Sequence, residues 1–268
     1  MSNLHIVPNA PSILLSVTSC KRIDLFKRTV NSFINACTDV SLISEWICVD
    51  DNSSKEDRDE MQRFYPFFNF IFKGEKYKGH PESMNIIRER SLDYDLLLHL
   101  EDDWTFTVRK PYINVALKIL NEDPSYRQVV FNRNYSEELS PKHMELVGGF
   151  KKKTKEDDIF YVEHEFYPKG SEGEKEFYKK NPGARSCCYW PHFSLNPSIT
   201  KTSIFKELGE FKSGISHFEM EYASRYVDKG YKTCFFDDIY CSHIGRKIDE
   251  AGKEGLKNAY ELNNTKQF

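Results

Sequence analysis

The chain has 268 residues, of which 29% are charged, and its formal net charge at pH 7 is −3. This near-neutral balance provides no overall field that would attract nucleic acid or an anionic membrane. The length suits one large α/β domain or two small ones. No apolar run reaches the ~18–20 residues of a membrane span. The first residues lack the pattern of a signal peptide, so a cytoplasmic protein is predicted.

The seven cysteines lie mostly in apolar segments, and no two of them have the C-x-x-C spacing of a zinc site. An odd number of cysteines in apolar surroundings is typical of buried, reduced thiols. A reducing compartment is therefore expected.

Strand-like and helix-like patterns alternate in the first half of the chain. Four apolar runs have the length of buried strands: 13–17, 46–49, 67–72 and 96–100. Apolar residues recur at helical spacing from Phe26 to Cys37, and Pro81 and Pro111 each open a further helical pattern. The order strand, helix, strand, strand, helix, strand predicts the parallel sheet of a nucleotide-binding half.

The second half is more polar at first and then becomes ordered again. Residues 134–185 are predicted to form a polar insertion, with loops at 151–153 and 170–175 and a short peripheral strand near 159–162. Such an insertion is either a lid or acceptor platform, or a surface excursion without a function. Helices are predicted at 202–208 and 217–229, and a strand at 232–236. The tail after Lys247 is expected to be helical or frayed.

Three consecutive acids, Glu101, Asp102 and Asp103, follow the apolar run 96–100. Ligands of open α/β sheets bind beyond the carboxyl ends of the strands. Adjacent carboxylates raise one another's pKa unless a cation or a basic group neutralises them. Mg²⁺ and Mn²⁺ prefer such oxygen ligands and often use one or two carboxylates together with substrate phosphates. The alternative is a solvated junction between a strand and a turn.

Several of these segments together resemble GT-A fold glycosyltransferases, especially the family 2-like group. Val49-Asp50-Asp51-Asn52-Ser53 resembles the uridine-binding motif of that family, and Glu101-Asp102-Asp103 resembles its DxD-type metal motif. Segments 193–198 and 205–209 resemble its acceptor side. The resemblance implies an α/β GT-A fold with a Rossmann-like nucleotide-binding half, a mixed central sheet flanked by helices, and an acceptor-side half.

The resemblance also assigns roles to individual residues. It implies nucleotide contacts for Thr18, Arg22, Asp50, Asp51, Asp102 and Arg246. It implies an Mn²⁺ or Mg²⁺ site at Asp103, Glu101 and His243. For His243 the alternative is a histidine that is hydrogen-bonded in a loop, and Arg246 could equally be a solvated charge. His80, His99 and His192 are predicted to be structural.

The catalytic base implied by the resemblance is Glu219, which stands where the family carries an aspartate. Arg225, Gly230 and Tyr231 keep the expected spacing behind it and fix the register. Glu221 is the competing candidate, but it lies four residues before Arg225 on a predicted helix. An ordinary ion pair would explain Glu221.

The resemblance implies transfer of a hexosyl or N-acetylhexosaminyl group from a UDP-sugar to a glycan or protein hydroxyl, with inversion. A single domain is expected, divided into a nucleotide-sugar half (11–133), the insertion (134–185), an acceptor and base half (186–247) and a tail (248–268). One alternative is a nucleotidyltransferase, although the segment 18–22 lacks the glycine of its usual loop. Another is an inactive sugar- or nucleotide-binding module. No G-x-G-x-x-G motif follows the first strand, which argues against a dinucleotide oxidoreductase.

Overall fold

The strands and helices alternate through most of the chain. The computed structural model describes residues 11–133, 149–180, 182, 188, 190–245 and 257–264. The strands within these ranges are β1 (Ile13–Ser19), β2 (Glu45–Asp51), β3 (Asn69–Lys73), β4 (Leu96–Glu101), β5 (Trp104–Phe106), β6 (Tyr126–Val130), β7 (Gly149–Lys153), β8 (Phe160–His164), β9 (Ser198–Lys201), β10 (Lys232–Phe236) and β11 (Cys241–His243). The helices are α1 (Ile23–Ala36), α2 (Lys55–Phe64), α3 (His80–Ser91), α4 (Tyr112–Leu120), α5 (Glu172–Lys180), α6 (Ser203–Leu208), α7 (Phe218–Asp228) and α8 (Ala259–Leu262).

Nine of these strands form one mixed sheet in the order β3-β2-β1-β4-β9-β6-β10-β8-β7. The four strands β3, β2, β1 and β4 run parallel. The antiparallel strand β9 joins them to β6, and β6 in turn pairs parallel with β10. Strands β5 and β11 form a separate two-stranded ribbon. The predicted mixed sheet flanked by helices is therefore confirmed.

Helices cover both faces of the sheet because successive strand residues point to opposite sides. Leu15 and Leu98 face the apolar cluster that contains α1 and α4. Their neighbours Leu14 and Leu97 face the second cluster, formed with α3, α6 and α7. The central strands are thus buried on both faces, as expected for near-continuous apolar runs.

Most elements predicted for the first half are present, but one helix was not anticipated. The strands at 13–17, 46–49 and 96–100 are confirmed as parts of β1, β2 and β4, whereas the third strand begins later, at Asn69. Helix α2 separates β2 from β3, so the predicted direct passage from strand to strand is wrong. Only Met61 of this helix is buried, which leaves almost no apolar period in its sequence. Its start is marked by Ser54, whose side chain accepts a hydrogen bond from the Asp57 N–H.

Two loop predictions in the polar insertion are also wrong. Residues 151–153 belong to β7, a largely exposed strand at the edge of the sheet. Lysine is common on such edges because it discourages pairing with another chain. The segment 170–175 runs into α5, none of whose residues is buried. The strand expected near 159–162 is confirmed as β8, but it is not peripheral, because it pairs with β10 on one side and β7 on the other.

The described cysteines are all buried and none of them is in a disulfide: Cys20, Cys37, Cys48, Cys188, Cys234 and Cys241. Among the helices of the described ranges, none has both the length and the apolar character needed to cross a membrane.

We expect the free energy of unfolding to decrease as the pH falls below ~6.5, because His99 is buried beside Ser16 and stays neutral in the folded chain. Burial lowers the pKa of His99 from 6.5 to about 3. The unfolded state therefore binds the proton first, so the stabilisation is complete above pH ~6.5 and is lost as the pH falls towards ~3. Urea unfolding between pH 7 and pH 4.5 should give a shallower pH slope for His99→Gln, by up to about 1.4 kcal/mol per pH unit. An unchanged slope would contradict this assignment.

Candidate active site

A cavity of about 230 Å³ opens beyond the carboxyl ends of β1, β2 and β4. It brings together side chains that the sequence separates widely. Those predicted from the sequence are Thr18, Arg22, Asp51, Glu101, Asp102, Asp103, Glu219 and His243. Parallel register explains part of this, since Thr18 on β1 stands directly beside Glu101 on β4.

Two adjacent carboxylates, Asp102 and Asp103, are buried at the floor of the cavity, and Arg22 bridges them. The Arg22 Nη1 donates to Asp103 Oδ2 over 2.8 Å, and its Nη2 is paired with Asp102. The Cys20 N–H donates to the second oxygen of Asp102 over 3.0 Å. One guanidinium thus faces two buried negative charges, so the cluster keeps an excess of negative charge.

The pKa values of the two carboxylates are shifted in opposite directions. Burial raises the pKa of Asp102, and the neighbouring Asp103 charge adds to that effect. Burial would raise the pKa of Asp103 as well, but the hydrogen bond from His243 and the charge of Arg22 lower it below its ordinary value. Asp103 is therefore the stronger acid of the two and keeps its charge to lower pH than Asp102 does.

Strand β11 brings His243 to this carboxylate. The His243 Nε2 lies 3.2 Å from Asp103 Oδ2, and the Ile244 N–H donates to the Asp103 carbonyl over 2.8 Å. A Cβ on Gly245 would lie 2.2 Å from Asp103 Oδ2, so only glycine fits against the acid. Asp103 Oδ1 is buried and accepts no hydrogen bond from the part of the chain that the structure describes.

The carboxylate of Asp103 and the imidazole of His243 are suitable ligands for a divalent metal ion. A buried carboxylate oxygen without a donor is costly unless a cation satisfies it. No group of three or more His, Cys, Asp or Glu side chains with metal-binding geometry occurs in the described ranges. The protein would therefore supply few ligands, Asp103 and His243 foremost, and phosphate and water would supply the others. Mg²⁺ is commonly bound in this way, and imidazole suits Mn²⁺.

Glu101, the third residue predicted for the metal, also lines the cavity. Its Oε1 lies 3.8 Å from His80 Nε2. His80 was predicted to be structural, yet its ring lines the same cavity and packs edge-on against Phe218. Burial lowers the pKa of His80 to about 4, so the ring is neutral near pH 7.

Asp51 faces the cavity from the end of β2. Its carboxylate accepts the Gly79 N–H at 3.0 and 3.1 Å and lies 3.0 Å from Lys73 Nζ. A third donor is the side-chain amide of Asn263, at 2.8 Å.

Asp50, predicted with Asp51 to bind the nucleotide, does not line the cavity. It is fully buried, and its Oδ2 accepts a hydrogen bond from Arg58 Nε over 2.6 Å and from the Ser53 N–H over 3.2 Å. These contacts hold the turn that follows β2. Arg246, the last residue predicted to contact the nucleotide, lies outside the described residues.

Glu219 enters the cavity from the first turn of α7. Its Oε1 accepts the Leu195 N–H over 2.7 Å, which fixes the side chain. The competing acid, Glu221, forms ion pairs with Arg225 at 2.9 Å and with Lys212 at 2.6 Å. The ion pair predicted between Glu221 and Arg225 is therefore confirmed, and Glu221 is absent from the cavity lining.

No protein-family model and no curated protein matches this chain. Solved structures do match it. A structure of GalNAc-T7 with UDP, GalNAc and Mn²⁺ is 16% identical in sequence and has a TM-score of 0.57. The match covers 91% of this chain and 45% of the GalNAc-T7 chain. A structure of the mannosyltransferase PcManGT from Pyrobaculum calidifontis with GDP-Man and Mn²⁺ is 14% identical, covers 90% of this chain and 59% of its own, and has a TM-score of 0.56.

These similarities show that the chain has the GT-A fold, as the sequence motifs predicted. The chain spans about half the length of the two solved structures that it matches.

Replacing Arg22 by glutamine should destabilise the fold strongly, because two buried carboxylates would lose their shared cation. Breaking a buried ion pair costs about 3–5 kcal/mol. Lys55→Gln is the matched control, since Lys55 and Asp59 form an exposed pair, and such pairs contribute little to stability. Chemical unfolding at pH 7 without added metal measures both values. A loss for Arg22→Gln no larger than that of the control would contradict the bridging role.

Proposed function

We propose that this chain transfers a sugar from a UDP-sugar to a hydroxyl of a glycan or protein acceptor, using Mn²⁺ or Mg²⁺ and inverting the anomeric carbon. The sugar is expected to be a hexose or an N-acetylhexosamine. The observation that carries the proposal is the meeting of Asp51, Asp103 and Glu219 in one cavity of a GT-A fold. Asp51 is suited to bind the uracil ring, Asp103 to bind a metal ion, and Glu219 to bind the reacting hydroxyl.

The nucleotide half of the site is assigned to residues 11–133. Asp51 is a fixed acceptor for the N–H of a uracil ring, because Gly79 and Lys73 hold its carboxylate in place. Arg22 provides positive charge for the diphosphate, and Asp102 orients its guanidinium. Thr18 lies at the same edge. A contact from Arg246 remains a prediction.

The metal half is assigned to Asp103 and His243, with Glu101 nearby. A bound divalent ion would stabilise the negative charge that develops on the departing diphosphate. In the chain itself, Asp103 stays ionised, and Arg22 and His243 fix its orientation.

Glu219 is the proposed general base. The Leu195 N–H holds one carboxylate oxygen, so the side chain keeps one orientation while its second oxygen accepts the proton of the acceptor hydroxyl. The hydroxyl oxygen then forms a bond to the anomeric carbon while the bond from that carbon to the phosphate oxygen breaks. A single displacement of this kind inverts the configuration.

The proposal is tested with a panel of UDP- and GDP-sugars, assayed for nucleotide release with Mn²⁺, with Mg²⁺ and with a chelator. We expect release of UDP from one or a few UDP-sugars, and loss of release in the chelator. Tight UDP binding without turnover on any donor or acceptor would instead indicate an inactive binding module. Release of pyrophosphate from a nucleoside triphosphate would indicate a nucleotidyltransferase.

Asp103→Asn should abolish metal-dependent binding of UDP, because the ionised oxygen next to the diphosphate is lost. A metal contributes several kcal/mol at such a site, so the affinity in Mn²⁺ should fall about 100-fold or more. Titration calorimetry with UDP and Mn²⁺ measures this change. Asp237→Asn, which alters an acid outside the cavity lining, is the control and should bind UDP like the native chain. Equal affinity in both variants would rule out the metal assignment.

Glu219→Gln should spare UDP binding and remove transfer, because the amide cannot accept the proton. The expected loss of turnover is about 10²–10⁴-fold. Glu221→Gln is the matched control on the same helix and should retain turnover. If Glu221→Gln lost activity and Glu219→Gln did not, the assignment of the base would be reversed.

A further inference from the structure

The C-terminal helix α8 sits in the proposed donor site. Asn258 and Glu261 form a capping box at its start, each side chain bonding the main-chain N–H of the other. Four residues of the segment 257–264 line the cavity: Asn258, Ala259, Tyr260 and Asn263. The segment therefore forms one wall of the site at which the acids converge.

Asn263 occupies the hydrogen-bonding position that is proposed for the uracil ring of the donor. It is almost completely buried, and its Nδ2 donates to Asp51 Oδ2 over 2.8 Å and to the Asp51 carbonyl over 3.3 Å. The reversed amide would place Oδ1 against a carboxylate, so charge fixes the orientation. The amide N–H thus takes the acceptor that the uracil N–H would use. Asn263 Oδ1 has no hydrogen-bond partner among the described residues.

Tyr260 extends towards the catalytic acids. Its hydroxyl lies 3.4 Å from His80 Nδ1. Burial raises the pKa of Tyr260, and the negative charges of Glu101 and Glu219 raise it further. The phenol lines the same cavity as Glu101, which is proposed for the metal site, and Glu219, the proposed base.

Two further contacts hold the main chain of the segment. Lys21 Nζ donates to the Leu262 carbonyl over 3.1 Å, and Cys20 Sγ lies 3.6 Å from the Ala259 carbonyl. Both are single polar contacts. With the segment in place the cavity holds about 230 Å³, whereas pockets for drug-sized ligands are roughly 300–1,000 Å³. A nucleotide sugar is at least as large as a drug-sized ligand, so it requires a larger cavity than the one left by the segment.

We propose that segment 257–264 is an internal competitor of the sugar nucleotide: Asn263 and Tyr260 close the donor site, and the nucleotide displaces them when it binds. This inference rests on the proposed function. The apparent dissociation constant of the donor then equals the intrinsic constant divided by the fraction of chains with the segment released.

Titration of the full chain with UDP in Mn²⁺ tests the competition. Asn263→Asp places a second carboxylate against Asp51 and should release the segment. Since a hydrogen bond to a charged group accounts for roughly a 10-fold or larger change in an equilibrium, UDP should bind about 10-fold more tightly or better. Asn264→Asp is the matched control, because this exposed neighbour adds the same charge. It should bind like the native chain.

Two further measurements distinguish displacement of segment 257–264 by UDP from binding of UDP to that segment. Tyr260→Ala, which removes bulk without adding charge, should also tighten UDP binding. Hydrogen exchange of the amides in 257–264 should become faster when UDP and Mn²⁺ are added to the native chain. Weaker UDP binding in both variants, with slower exchange on adding UDP, would make the segment part of the binding site and overturn the competition.

The remaining outcomes distinguish this inference from the proposed function. Equal UDP affinity in the native chain, Asn263→Asp and Tyr260→Ala would overturn the competition and leave the proposed function intact. Absence of UDP binding in the native chain and in every variant would refute the proposed function, and this inference with it.

Discussion

The site depends on two neighbouring carboxylates, Asp102 and Asp103, that are buried where the central strand β4 ends. Burying one charge is costly, and burying two side by side is possible only with compensating donors. Arg22 provides one positive charge for both, the Cys20 N–H binds Asp102, and β11 delivers His243 to Asp103. The turn after β1 and the β5–β11 ribbon are therefore shaped by the need to satisfy these acids, and a divalent ion would complete the compensation.

The rest of the fold carries the proposed base to the same place. Gln128 on β6 exchanges two hydrogen bonds with the main chain of Ser194, at 2.7 and 2.9 Å. The next residue, Leu195, donates the N–H that fixes Glu219. A buried amide on one strand thus sets the position of a carboxylate on a helix. Because β6 joins the parallel strands through β9, the two halves of the site are linked through the sheet.

The features that could be predicted from the sequence are those marked by a local sequence pattern. The apolar runs of β1, β2 and β4 and the acids at their ends are local patterns, so the fold class and most of the acidic site were predictable. The motif containing Asp50 and Asp51 could not show which acid reaches the cavity, because successive strand residues point to opposite faces. Tyr260 and Asn263 were missed because their contacts are distant in the sequence and no apolar period marks them.

The same electrostatics explain why a segment whose cavity-lining side chains are uncharged can rest in an acidic cavity. Four of the acids that line the cavity, Asp51, Glu101, Asp102 and Asp103, outnumber Arg22 and Lys73, the two cations that pair with three of them. The amide of Asn263 supplies a hydrogen bond to Asp51 without adding charge. Under the proposed function, a nucleotide diphosphate arriving with a divalent ion would bring both an N–H for Asp51 and positive charge for Asp103. The segment supplies only the first of these, through the Asn263 amide, so the proposed exchange would favour the donor.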